Sequence, residues 1–129
     1  MDTYAFRKRL LEPSVPNLAK STVFGLNSLV FDIKRAILTD YVGSRDIRDR
    51  VVRFNCREYL YLFPELQAFR AYDYSRRFDF DLDREVLHFV VEQLNATSID
   101  DFYLRVLQHR PRLKRVHISE MSDHIRSLV

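Results

Sequence analysis

Residues 44–77 read SRDIRDRVVRFNCREYLYLFPELQAFRAYDYSRR, and the parsing of this stretch decides the fold. Arginines at 45, 48, 50, 53, 57, 70, 76 and 77 are interleaved with Phe54, Tyr59, Tyr61, Phe63, Phe69, Tyr72 and Tyr74. That mixture suits a core helix pair, a nucleic-acid surface or a protein-docking surface. Asp46 precedes Arg50, and Asp49 precedes Arg53, in the acid-first order and spacing that stabilise an exposed helical face. Ile47, Val51, Phe54 and Leu62 fall on one apolar stripe, and Val52, Cys56, Tyr59 and Phe63 on a second. The pattern predicts a helix over about 45–63 that is wedged between two neighbours. Pro64 is placed to open the next helix, because its missing N–H costs nothing in a first turn.

Upstream, residues 3–11 read as a short helix that Pro13 and Pro16 close off, so residues 1–16 are expected as a helical arm and Pro-containing linker and residues 17–129 as one helical domain. From Asn17 the spacing of Leu18, Leu26, Leu29, Val30, Ile33, Ala36 and Ile37 predicts a long helix to about residue 41, packed on the 45–63 helix. Gly25 inside it points to a close approach by a neighbouring backbone. Downstream, the alternation Phe78-Asp79-Phe80-Asp81-Leu82-Asp83 reads as an extended linker ending in a helix N-cap. Val86, Leu87, Val90, Val91 and Leu94 then recur at helical spacing. Ser98 with Asp101 resembles a capping box, and Ile118, Met121, Ile125 and Leu128 form a last amphipathic helix. The expected fold is therefore all-α, a single compact domain of five to six helices.

Composition agrees with that class. The chain of 129 residues is 47% hydrophobic and 30% charged, with two glycines and four prolines. So few glycines leave little for the tight turns of a sandwich or barrel. A lone cysteine, Cys56, supplies neither a disulfide framework nor a thiolate cluster, and an intracellular setting is expected. The apolar run over 29–38 is interrupted by Asp32, Lys34 and Arg35, which rules it out as a membrane span.

Chemical signatures are few. Asp79, Asp81 and Asp83 invite a cation reading, but Arg84 and Val90 stand where a calcium loop needs glycine and glutamate. His88, His109, His117 and His124 never fall four apart, so no helix presents two imidazoles to a metal. No nucleophile elbow or glycine-rich phosphate loop is present. These observations lead to the expectations of no enzyme activity, no metal and no cofactor.

The net charge is +3, and its distribution matters more than its size. Residues 105–117, RVLQHRPRLKRVH, hold Arg105, Arg110, Arg112, Lys114 and Arg115 without an acid, a patch that attracts acidic protein surfaces, nucleic-acid phosphates or anionic lipid headgroups. Arg53, Arg57, Phe69, Tyr72 and Tyr74 form a second candidate partner surface, of the arginine and tyrosine composition that interfaces favour. The sequence reading is thus a non-catalytic protein-interaction module, an adaptor or accessory subunit of a larger assembly, with self-association left open. The alternative is a helical protein that contacts RNA or DNA phosphates.

Overall fold

A short helix opens the described part of the chain because Ser14 can cap it. In the structure, a computed structural model describing residues 14–129, the Ser14 hydroxyl accepts from the Asn17 N–H at 3.2 Å and Pro16 sits in the first turn of helix α1, Val15–Ser21. Pro16 therefore starts a helix where the sequence reading made it part of a linker. The expected arm over residues 1–16 lies almost wholly outside the described residues.

The expected long helix over 17–41 does not form. After α1 comes a 3-10 turn, Gly25–Asn27, and then a hairpin of strands β1, Leu29–Asp32, and β2, Ile37–Asp40. The strands pair antiparallel, from Leu29 opposite Asp40 to Asp32 opposite Ile37. The physical reason lies in the turn. Asp32 accepts from the Arg35 N–H at 3.2 Å, and Ala36 adopts a left-handed φ of 53°, which reverses the chain and ends any helical path. Val30, Ile37 and Thr39 are β-branched and prefer the pleated geometry.

The expected helix over 45–63 is shorter and earlier. Helix α2 spans Gly43–Asp49, and Arg50, left-handed at φ 57°, stops it. Strand β3, Val51–Val52, follows, and then a loop and a 3-10 turn at Leu60–Leu62. The two apolar stripes were an accident of spacing: Val52 and Phe54 are buried from extended backbone, and Phe54 forms an antiparallel bridge with Phe24.

From Pro64 onward the expected helices appear. Helix α3 runs Pro64–Phe78 and ends at Asp79, also left-handed at φ 55°. Strand β4, Asp81–Leu82, replaces part of the expected linker and pairs parallel with β3. Parallel pairing requires a crossover, and α3 lies within it. Helix α4 is Arg84–Ala96, α5 is Ile99–Leu107 and α6 is Arg115–Ser127. The Ser98 hydroxyl accepts from the Asp101 N–H at 3.1 Å, which fixes the start of α5. The described residues are thus mostly helical, with six α-helices and two small sheets, and the purely all-α expectation is corrected to that extent.

Helix α3 packs on both α4 and α5, and α6 on α4 and α5. One hydrophobic cluster joins these helices to the N-terminal half, from Phe24 and Val52 through Ala68, Ala71, Phe89 and Phe102 to Met121 and Ile125. Ala68 and Ala71 are fully buried, and their small side chains let neighbouring elements approach α3 closely. The two halves are also laced by backbone: Asp81 N–H donates to the Arg50 carbonyl at 2.9 Å, and Asp83 N–H to the Val52 carbonyl at 3.0 Å.

Candidate nucleic-acid interface

Most of the arginines are matched by acids. Arg53 donates to Asp46 at 2.9 Å and to Asp49 at 3.0 Å. The acid-first pair at 49 and 53 forms, whereas Asp46 is fully buried and takes Arg45 and Arg53 in place of Arg50. Arg57 meets Glu85 with two bonds of 2.6 and 2.7 Å, and this pairing raises the Arg57 pKa and lowers that of Glu85. Tyr74 is equally occupied. Its hydroxyl accepts from Asn27 at 3.0 Å and Arg70 at 3.1 Å, while its ring meets Phe24 edge-on at 5.6 Å. Arg53, Arg57 and Tyr74 therefore help to hold the fold.

The basic segment divides in the same way. Arg105 donates to the buried Glu65 at 2.6 Å, beside a small cavity of about 170 Å³, and Arg115 to Asp100 at 2.6 Å. Lys114 is exposed at the N-cap of α6, where its backbone N–H donates to His117 Nδ1 at 3.0 Å. Arg110 and Arg112 belong to neither pair. Both line a cleft of about 600 Å³ together with Phe69 and Tyr72.

This cleft lies between the second half of α3, the loop joining α5 to α6, and the start of α6. Phe69, Tyr72, Asp73, Arg76 and Arg77 come from α3, Arg110 to Leu113 from the loop, and His117 and Glu120 from α6. Helical spacing puts residues 69, 72, 73 and 76 on one face of α3, and the loop is anchored by the Tyr103 hydroxyl donating to the Leu113 carbonyl at 3.1 Å. The floor is aromatic. The Arg110 guanidinium stands over the Phe69 ring at 5.9 Å, a cation–π contact.

The rim carries four arginines against two acids, Asp73 and Glu120. Arg77 is held by Asp73 at 2.9 Å. Among the described residues no salt bridge within 4.0 Å reaches Arg76, Arg110 or Arg112. Behind Tyr72, His124 lies at a ring distance of 5.8 Å. Burial, reinforced by the Arg76 charge, lowers the His124 pKa from 6.5. Burial likewise raises the Tyr72 pKa from 10.0, keeping the phenol protonated.

Sequence reasoning found four of the lining residues, Phe69, Tyr72, Arg110 and Arg112, but assigned them to two separate surfaces. It did not place Arg76, Arg77, His117 or Glu120 with them. The spacing of Phe69, Tyr72 and Arg76 was the available signal for the α3 wall. Asp79, Asp81 and Asp83 are split among a helix stop, a strand and an N-cap. Among the described residues no group of three or more His, Cys, Asp or Glu is arranged to hold a metal, and no helix is long and apolar enough to cross a membrane.

No protein-family model and no curated protein matches the sequence. Solved structures do match the fold. A tRNA-processing enzyme with CTP superposes with a TM-score of 0.62 at 19% identity, over 90% of this chain and 34% of that one. Apo forms of a tRNA-processing enzyme give TM-scores of 0.65 at 22% identity and 0.59 at 18%, again over 90% of this chain, and over 35% and 33% of theirs. The chain thus spans about a third of the length of these enzymes. The likeness overturns two expectations: the non-catalytic adaptor or accessory subunit, and the exclusion of an enzyme. Both rested on missing local motifs, and this fold is one that an enzyme carries.

Proposed function

We propose that the chain is the RNA-engaging portion of a tRNA-processing protein, and that it holds RNA in the cleft between α3 and the α5–α6 loop. The observation that carries this reading is the convergence of three arginines without carboxylate partners, Arg76, Arg110 and Arg112, around Phe69 and Tyr72. Phosphates are met by guanidinium groups that form paired, charge-assisted hydrogen bonds. Unpaired bases stack on aromatic rings and guanidinium planes. Lys114, exposed and next in the chain to the lining residue Leu113, extends the cationic track. The fold likeness to tRNA-processing enzymes, one of them with CTP, supports the same assignment.

The test is fluorescence anisotropy with labelled tRNA across a salt series. Binding is expected to weaken linearly in log salt, and each of Arg76→Ala and Arg112→Ala to reduce the slope by about one unit. The double reversal Arg76→Glu with Arg112→Glu is expected to weaken binding about a hundredfold at low salt, through loss of phosphate neutralisation. Both side chains are exposed, so the folded state should survive. Salt-independent binding, or full affinity in the double variant, would overturn the proposal.

A further inference from the structure

Large apolar side chains that take no part in the cleft stand exposed on the hairpin of β1 and β2. Val30 is buried and α1 packs on both strands, so one face of the hairpin has its support. Alternation turns Phe31 to the other face, where it stands opposite Leu38, and both side chains are 56% exposed. Ile33 in the turn, Ile37 and Tyr41 are also more than half exposed. Along β2 only Thr39 is partly covered, and among the described residues no further strand pairs with its outer edge. The two ends of the hairpin differ in charge. At the turn, Arg35 stands 4.0 Å from Asp32, and Lys34 is exposed. At the base, Asp40 is exposed and accepts from the Ser44 N–H at 3.1 Å; hydrogen bonds from Ser44 hold its carboxyl below the usual carboxylate range, so it is ionised at neutral pH. Among the described residues no salt bridge reaches Lys34 or Asp40.

We infer that the hairpin docks a second copy of the chain, the outer edges of two β2 strands pairing antiparallel about a two-fold axis to make one continuous sheet. An open strand edge with apolar side chains is a template for a further strand, and a two-stranded sheet gains stability from one. The charges select a second copy as the occupant. A two-fold contact requires a surface complementary to itself. Antiparallel pairing carries the turn of one hairpin toward the base of the other, which sets Lys34 of each copy toward Asp40 of its mate. Phe31 and Leu38 then extend into one apolar face shared by both copies. Strand pairing satisfies the edge N–H and C=O groups, burial of the apolar side chains supplies affinity, and the charge pairs fix the register. The axis uses the β2 edge of both copies, so assembly through this edge stops at two.

Sedimentation velocity across a concentration series tests this. A species of twice the 15.5 kDa chain mass is expected, populated more as concentration rises. Leu38→Lys puts a charge on the open face and is expected to leave a monomer; its side chain is exposed, so the circular dichroism spectrum should not change. Lys34→Glu sets like charges toward each other and is expected to weaken association about tenfold at low salt, with the loss shrinking at high salt as the repulsion is screened. A monomer at every concentration overturns the inference and leaves the face to a different polypeptide. A dimer that survives Leu38→Lys overturns the placement on the hairpin, and one indifferent to Lys34→Glu overturns the two-fold antiparallel arrangement. Growth beyond two copies overturns the closed contact.

Discussion

Gly25→Ala is expected to destabilise the protein by about 3 kcal/mol, through overpacking against a buried ion pair. A Cβ at this position would overlap Asp46 Oδ2 and lie 3.0 Å from Asp46 Cγ and 3.2 Å from Val42 Cγ2. The carboxylate has no room to retreat. It is fully buried, its Oδ1 is held by Arg45 and Arg53 at 2.9 Å each, and its Oδ2 has no hydrogen-bond partner. Displacing it would disturb both pairs of a fully buried carboxylate whose arginine partners are partly exposed, which costs more than disturbing a pair wholly on the surface. Urea denaturation measures the loss, and a double-variant cycle assigns it. In an Asp46→Ala background the added cost of Gly25→Ala should drop below about 1 kcal/mol, since the colliding group is gone. An unchanged cost in that background would show that Asp46 is not what the glycine makes room for.

Phe24→Ala is expected to cost about 3–5 kcal/mol, the range for emptying a buried phenylalanine site. Phe24 is fully buried and belongs to no helix or strand. Its ring stacks on Phe54 at 5.8 Å, takes the edge of Tyr74 at 5.6 Å and lies under the Arg70 guanidinium at 5.5 Å. It therefore binds the N-terminal half to α3, and its removal would open a void between them. Phe24→Leu keeps most of the volume and should cost roughly half as much. Equal costs for the two variants would mean that aromatic contacts, and not the filled volume, set the value of the site; a cost under about 1 kcal/mol for Phe24→Ala would remove Phe24 from the centre of the core.

The contrast between the two halves explains what could be read from the chain. Helix α3 was legible from Pro64 at its start although its apolar spacing is loose, α5 from Ser98, and α4 and α6 from apolar residues that keep a helical period. The segment from Leu29 to Leu38 was not, since its apolar residues satisfy helical and alternating patterns together, and only the reversal at Ala36 decides between them. Asp46 was misread for a related reason. Its spacing from Arg50 matched a surface pair, and only the approach of Gly25 reveals that it is buried. The cleft was half legible: Phe69 and Tyr72 stand some forty residues from Arg110 and Arg112, and tertiary packing alone joins them.

The parallel seam between β3 and β4 stitches the two halves of the chain together. Asp81 N–H donates to the Arg50 carbonyl at 2.9 Å and Asp83 N–H to the Val52 carbonyl at 3.0 Å, which ties the chain leaving α3 to the chain leaving α2. Arg76 and Arg77 occupy the last turn of α3, just before that tie. Only Phe78, Asp79 and Phe80 separate those arginines from the seam. The α3 wall of the cleft and the half that bears the hairpin are thus joined by backbone hydrogen bonds as well as by side-chain packing.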